Sequence, residues 1–232
     1  MKLKGEINIL ADKITKHPFL KIFERTESPG VNPRNYKLFK DKFGIDLPAV
    51  IQDLYGEMNG FTFIYGLKDS SDKALNDFNA LSKDYIIEKG PPYIIGSIKF
   101  LPFEKVFLEN TWEGMLYNTG SKTDENKLTF RNKEYTYNDL GKQLKPFDLF
   151  SEEVCASFLL IPELSMDVIL LTDHYADWQN SRIISFEDYC TLIVNTGGIV
   201  EARERYLAKT EGDSMKKFNL PDNKKLTPKI FK

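Results

Sequence analysis

A chain of 232 residues with 41% hydrophobic and 28% charged residues can bury a sizeable core without staples, and it has no run of about 18 apolar residues that would cross a membrane. Its two cysteines, Cys155 and Cys190, are too few for a disulfide framework and lack metal-ligand spacing. The net charge of −2 is uneven, since residues 209–232 hold seven lysines against Glu211, Asp213 and Asp222, a net of +4, which leaves −6 for residues 1–208.

An acidic body argues against a nucleic-acid binder, whose basic charge concentrates on a folded face. It suits solvation alone, or docking to basic partners. The opening "MKLKGEINILADKITKHPFL" has no long apolar segment and no small-residue cleavage site, so a cytoplasmic location is expected, with both cysteines as buried free thiols.

In chain order, residues 6–16 place Ile7, Leu10 and Ile14 at helical spacing, and His17-Pro18 ends that helix. Asn32-Pro33 opens a second helix with Tyr36, Phe39 and Phe43 on one face, closed by Gly44. Pro48 starts a third, where Val50, Ile51, Leu54, Tyr55 and Met58 form a wide apolar stripe. Asn59-Gly60 supplies left-handed residues at its end, and Phe61 to Tyr65 reads as a strand ended by Gly66. A short helix is expected within 68–89, then a strand over Tyr93–Pro102 with a bulge at Gly96.

Trp112, Met115 and Tyr117 are placed on a neighbouring strand or loop, followed by a hairpin over Leu128–Tyr137 that turns at Asn132-Lys133. Ser151 with Glu152 and Glu153 predicts a short helix through Leu160, stopped by Pro162. Asp167 to Thr172 is the most apolar strand and is expected at the centre of the sheet. Ser185-Phe-Glu-Asp188 resembles a capping box that launches a helix, and Gly197-Gly198 separates it from a last helix ending near Leu207. The predicted class is α+β, a mainly antiparallel sheet flanked by helices at the N- and C-terminal ends. The expected organisation is a single domain over 1–208, an N-terminal helical extension preceding a core at about 33–207, with a flexible basic tail over 209–232.

Chemistry-bearing patterns are sparse. Asp173, His174 and Asp177, directly after the apolar strand, have the types to ligate a metal or share a proton. The other histidine, His17, precedes a proline in the N-terminal helical region, and no H-x-x-x-H or H-E-x-x-H occurs, so a polar loop is the simpler reading. There is no G-x-S-x-G, and "NTGGIVEAR" has neither a strand before it nor a Walker lysine. Both cysteines sit in apolar runs as core positions. The reading calls for no catalytic residue, no metal and no cofactor.

Two stretches carry a resemblance. A Phe-bearing helix ending in Gly44, then Leu47-Pro48, a tyrosine-bearing helix and Asn59-Gly60, is similar to the N-terminal pattern of the SMI1/KNR4 family, also called the SUKH superfamily. "SRIISFEDYCTLIVN", Ser181 to Asn195, looks like that family's closing strand and helix. The chain departs from the pattern at Phe61, where the family usually has a second glycine, in the insertion between Tyr65 and Tyr93, and in the basic tail.

The resemblance implies a domain without a catalytic centre. It implies an immunity protein that binds and neutralises a bacterial polymorphic toxin, often a nuclease, or alternatively a regulatory or scaffolding module of the cell-wall-synthesis-regulator type with an endogenous protein partner. The expected partner is a protein, such as a basic toxin or nuclease effector, with no direct contact to nucleic acid or membrane. The candidate protein-binding residues are Asn59, Tyr65, Trp112, Asp173, His174, Tyr175, Asp177 and Trp178. The aromatics among them read equally well as core.

Overall fold

The fold is taken from a computed structural model, which describes residues 3–82, 85, 90–109, 127–130, 133–136, 143–151, 154–161, 166–171, 182–207 and 218–232. Helix α1 (Leu3–Lys16) buries Leu3, Ile7, Leu10, Ala11 and Ile14 along one stripe. Strand β1 (Leu20–Glu27) follows, then α2 (Arg34–Phe43), which ends at Gly44 with φ 70° and a Gly44 N–H donating to the Lys40 carbonyl at 2.8 Å. Helix α3 (Ala49–Glu57) begins after Pro48 and buries Ile51, Leu54 and Tyr55. Of Asn59-Gly60, only Gly60 takes the left-handed backbone, with φ 99°. Strand β2 (Phe61–Leu67), helix α4 (Asp72–Ser82) and strand β3 (Ile94–Phe100) come next. A five-residue π-helix spans Glu104–Leu108.

A separate hairpin pairs β4 (Lys127–Phe130) with β5 (Lys133–Thr136). Phe130 faces Lys133, so Lys133, expected in the turn, is the first residue of β5. Strands β6 (Leu144–Asp148), β7 (Cys155–Leu159) and β8 (Val168–Leu171) precede α5 (Phe186–Thr196) and α6 (Val200–Leu207). A one-turn helix α7 (Asn223–Leu226) and a 3₁₀ turn over Lys229–Phe231 lie near the end.

The main sheet runs β1-β2-β3-β6-β7-β8, every neighbouring pair antiparallel. This is the α+β class expected, with helices at both ends of the chain. Two expectations fail. The helix predicted from Ser151 is β7: all five of its residues are buried, so no polar face exists to lie against solvent, and pairing on both sides holds it extended. The apolar Asp167–Thr172 stretch is not central. Its strand β8 is the last in the order, and its outer side is covered by Ile184, which exchanges backbone hydrogen bonds with Val168 at 2.7 and 3.0 Å.

The middle of the sheet is its weakest seam. β3 and β6 share one residue pair, Phe100 with Asp148, flanked by Leu101 N–H to Phe147 O and Leu149 N–H to Lys99 O. Earlier along β3 the partner is the turn between α5 and α6: Gly96 bridges Ile199, and Ser97 N–H donates to Gly198 O at 3.0 Å. That turn exists because Gly197 and Gly198 take φ 69° and 71° in succession. The bulge predicted at Gly96 is found beside it, where the register passes from Tyr65–Gly96 to Gly66–Ile94 and leaves Ile95 over. A Cβ on Gly96 would stand 2.0 Å from Tyr65 Cε1, so only glycine lets that ring cross the strand.

Among the described residues, many of the aromatic rings pack inside. Phe103 and Phe107 are 4.8 Å apart, Phe107 and Phe158 5.7 Å, Phe147 and Phe158 4.0 Å, and Phe158 and Phe186 5.2 Å, a continuous row of rings under α3 and α5. Edge and offset contacts of this kind add about 0.5–1.5 kcal/mol per pair beyond burial. Within the basic segment, residues 218–232 make contacts with the body. Leu226 is buried, Phe231 rests on Gly197 and the Tyr65 ring, and Phe218 N–H donates to Ile183 O at 2.7 Å.

Candidate functional site

Of the candidate protein-binding residues, Asn59 and Tyr65 are described, and both hydrogen-bond within the scaffold. Asn59 accepts from Phe103 N–H at 2.7 Å and donates to a Glu104 carboxylate oxygen at 2.8 Å. The other oxygen of Glu104 accepts from Asn35 at 2.5 Å, so this carboxylate ties α2 and the end of α3 to the π-helix. Tyr65 is fully buried and its hydroxyl donates to Gly197 O at 2.7 Å. Tyr65 has no exposed surface, while Asn59 is half-buried and keeps part of its surface open. Trp112, Asp173, His174, Tyr175, Asp177 and Trp178 lie outside the described residues.

At the seam between β3 and β6 is a fully buried ion pair. Asp148 accepts from Lys99 N–H at 2.8 Å, from the Tyr189 hydroxyl at 2.7 Å and from Arg203 Nη1 at 2.6 Å. Arg203 Nη2 donates to the Ser97 and Gly198 carbonyls, and the guanidinium lies 3.9 Å from the Phe150 ring centre. Burial pushes the Asp148 carboxyl above its ordinary range, against the pull of Arg203, the Lys99 N–H and the Tyr189 hydroxyl. Burial, then the Asp148 charge, holds the Tyr189 phenol well above its usual value. With both charged side chains at zero exposure, this cluster reaches no substrate and acts as a rivet. The thiols are equally inert: burial pushes Cys155 up to about 12 and raises Cys190 as well, so both stay protonated at neutral pH. Among the described residues no group of three or more His, Cys, Asp or Glu side chains is placed to hold a metal ion. No described helix is long and apolar enough to cross a membrane.

Among the described residues, a groove of about 710 Å³ opens where α3 meets α5, reached also by the start of α1 and by α2. Leu3, Val50, Leu54, Phe186 and Cys190 make an apolar floor. Asp53 and Glu57 stand four residues apart on α3, hence on one face, and Glu187 stands in the first turn of α5. All three are exposed. Tyr36 lines the groove with its hydroxyl donating to Gln52 O at 2.9 Å, while burial first and the Asp53 charge second raise its phenol. Glu187 lies in the turn that Ser185 caps: Ser185 Oγ accepts from Asp188 N–H at 3.1 Å and donates to the Asp188 carboxylate at 2.8 Å. The described lining contains three carboxylates and no cation.

The apolar stripes of α3 and α5 are legible in the sequence, and the groove between them is not. Asp53 and Glu57 look like the ordinary solvated face of α3, and nothing local says that Glu187 comes to face them. Arg203 was hidden in the same way, in the polar-looking run "VEARERYL".

No family model matches the chain, and neither does any curated protein or solved structure.

Proposed function

We propose that this chain is a protein-binding domain that carries out no reaction, and that its role is that of an immunity protein, binding and neutralising a bacterial polymorphic toxin. The observation that carries the reading is the α3–α5 groove, apolar below and acidic at the rim, on a body whose residues 1–208 sum to −6. A surface built only for solubility has no need of an apolar floor. A surface that docks a basic protein uses both parts, charge to steer the encounter and apolar area to hold it. The motifs shared with the SMI1/KNR4 family, Leu47-Pro48, Asn59-Gly60 and the Ser185 box, support the same role.

The test is co-expression with each toxin gene encoded beside this one. Rescue of growth, together with a complex that weakens as salt is raised from 0.05 to 0.5 M, is the expected result. Growth arrest by every neighbouring toxin, with no binding in isothermal titration, overturns the immunity role.

A further inference from the structure

Resting on the protein-binding reading above, we infer that the α3–α5 groove receives an arginine side chain of the partner protein, its methylene stem on the apolar floor and its guanidinium among Asp53, Glu57 and Glu187. The geometry selects the occupant in three steps. First, carboxylates come from both walls, two from α3 and one from the first turn of α5, and no described cation pairs with any of them. Carboxylates lining both walls of one groove suit a group with several donors spread in a plane, which is the guanidinium fork rather than the compact ammonium of lysine.

Second, between Asp53 and Glu57 the α3 wall is bare at Gly56. A Cβ there would have the Tyr36 hydroxyl, 3.6 Å away, as its sole neighbour, so glycine keeps this part of the groove open. Third, two rings line the groove, Tyr36 and Phe186, and the Tyr36 ring is held in place by its hydroxyl bond to Gln52 O. A guanidinium stacks on such faces, and an arginine stem covers apolar surface while its head stays at the rim.

The probe is a 12-residue amphipathic peptide with arginine at every fourth position in an alanine–leucine background, compared with lysine and citrulline versions. Binding is followed by titration calorimetry and by amide chemical shifts of the full chain. The arginine peptide is expected to shift the amides of Asp53, Gly56, Glu57 and Glu187, and to bind about fivefold or more tighter than the lysine version and far tighter than the citrulline one. The variant D53N/E57Q/E187Q is expected to weaken it about tenfold. A control variant, D12N/E24Q/D77N, removes the same charge from exposed positions outside the groove and should weaken it less than about twofold.

Equal binding of the citrulline peptide, or equal weakening by the two triple variants at unchanged melting temperature, overturns the inference. A neighbouring toxin that binds the wild type and D53N/E57Q/E187Q equally well also overturns it, and leaves the immunity role standing. Groove binding of the arginine peptide without any toxin partner supports the inference and removes the immunity role alone.

Discussion

Two buried tyrosines with opposite circumstances show how one hydroxyl is priced in this interior. Tyr189 donates to Asp148, so Tyr189→Phe takes a donor from a buried carboxylate and is expected to destabilise by about 1–3 kcal/mol. Tyr55 is equally buried, packed edge-on against Phe103 at 5.3 Å, and its hydroxyl has no hydrogen-bond partner among the described residues. Tyr55→Phe removes a desolvated donor and keeps the ring. The expected outcome is unchanged stability or a gain of up to about 1 kcal/mol. Urea unfolding of the two variants, with equal m-values, checks the contrast; a loss at Tyr55 comparable to that at Tyr189 would refute it.

Between elements, the decisive joint is the seam of β3 and β6, where one residue pair is reinforced by the Asp148–Arg203 rivet and by the Gly197-Gly198 turn. Arg203→Ala leaves a carboxylate uncompensated at zero exposure and is expected to cost about 3–5 kcal/mol. The double change Asp148→Asn with Arg203→Met strands no charge and should recover part of that loss in the same denaturant titration. If the double variant is as unstable as the sum of the two single ones, the pair is not the coupled unit described.

The seam also marks how far the elements were legible. Helices α1, α2, α3 and α5 could be read because each carries its own punctuation, Pro18, Gly44, Pro48 and the Ser185 box, next to an apolar stripe. Strands β1 and β6 carry no alternation to read: β1 is exposed over most of its length and β6 buried throughout. The acidic start at Ser151 suggested a helix because the signal for β7 lies in its neighbours β6 and β8 rather than in its own residues. The groove was illegible for the same reason, being a property of two helices about 130 residues apart.

Across the whole molecule, the segment 218–232 separates the two pictures most sharply. A flexible tail predicts that Leu226→Ala is silent. In this structure Leu226 is 1% exposed, so the same change is expected to cost about 2 kcal/mol or more and to lower the melting temperature measurably. The long-range field that a basic partner meets sums the acid-rich body and the lysines of this segment.

The crossing of Tyr65 over Gly96, with its hydroxyl on Gly197, has a consequence for biosynthesis. That hydrogen bond spans 132 positions, and the bond from Arg203 to Ser97 spans 106. During translation the strands β2 and β3 leave the ribosome long before the turn and helix that complete their packing. Their apolar side chains wait while residues 101–207 are made, a delay of about 5–20 seconds at about 5–20 residues per second. Contacts that join residues more than 100 positions apart raise the contact order of the fold and slow its assembly.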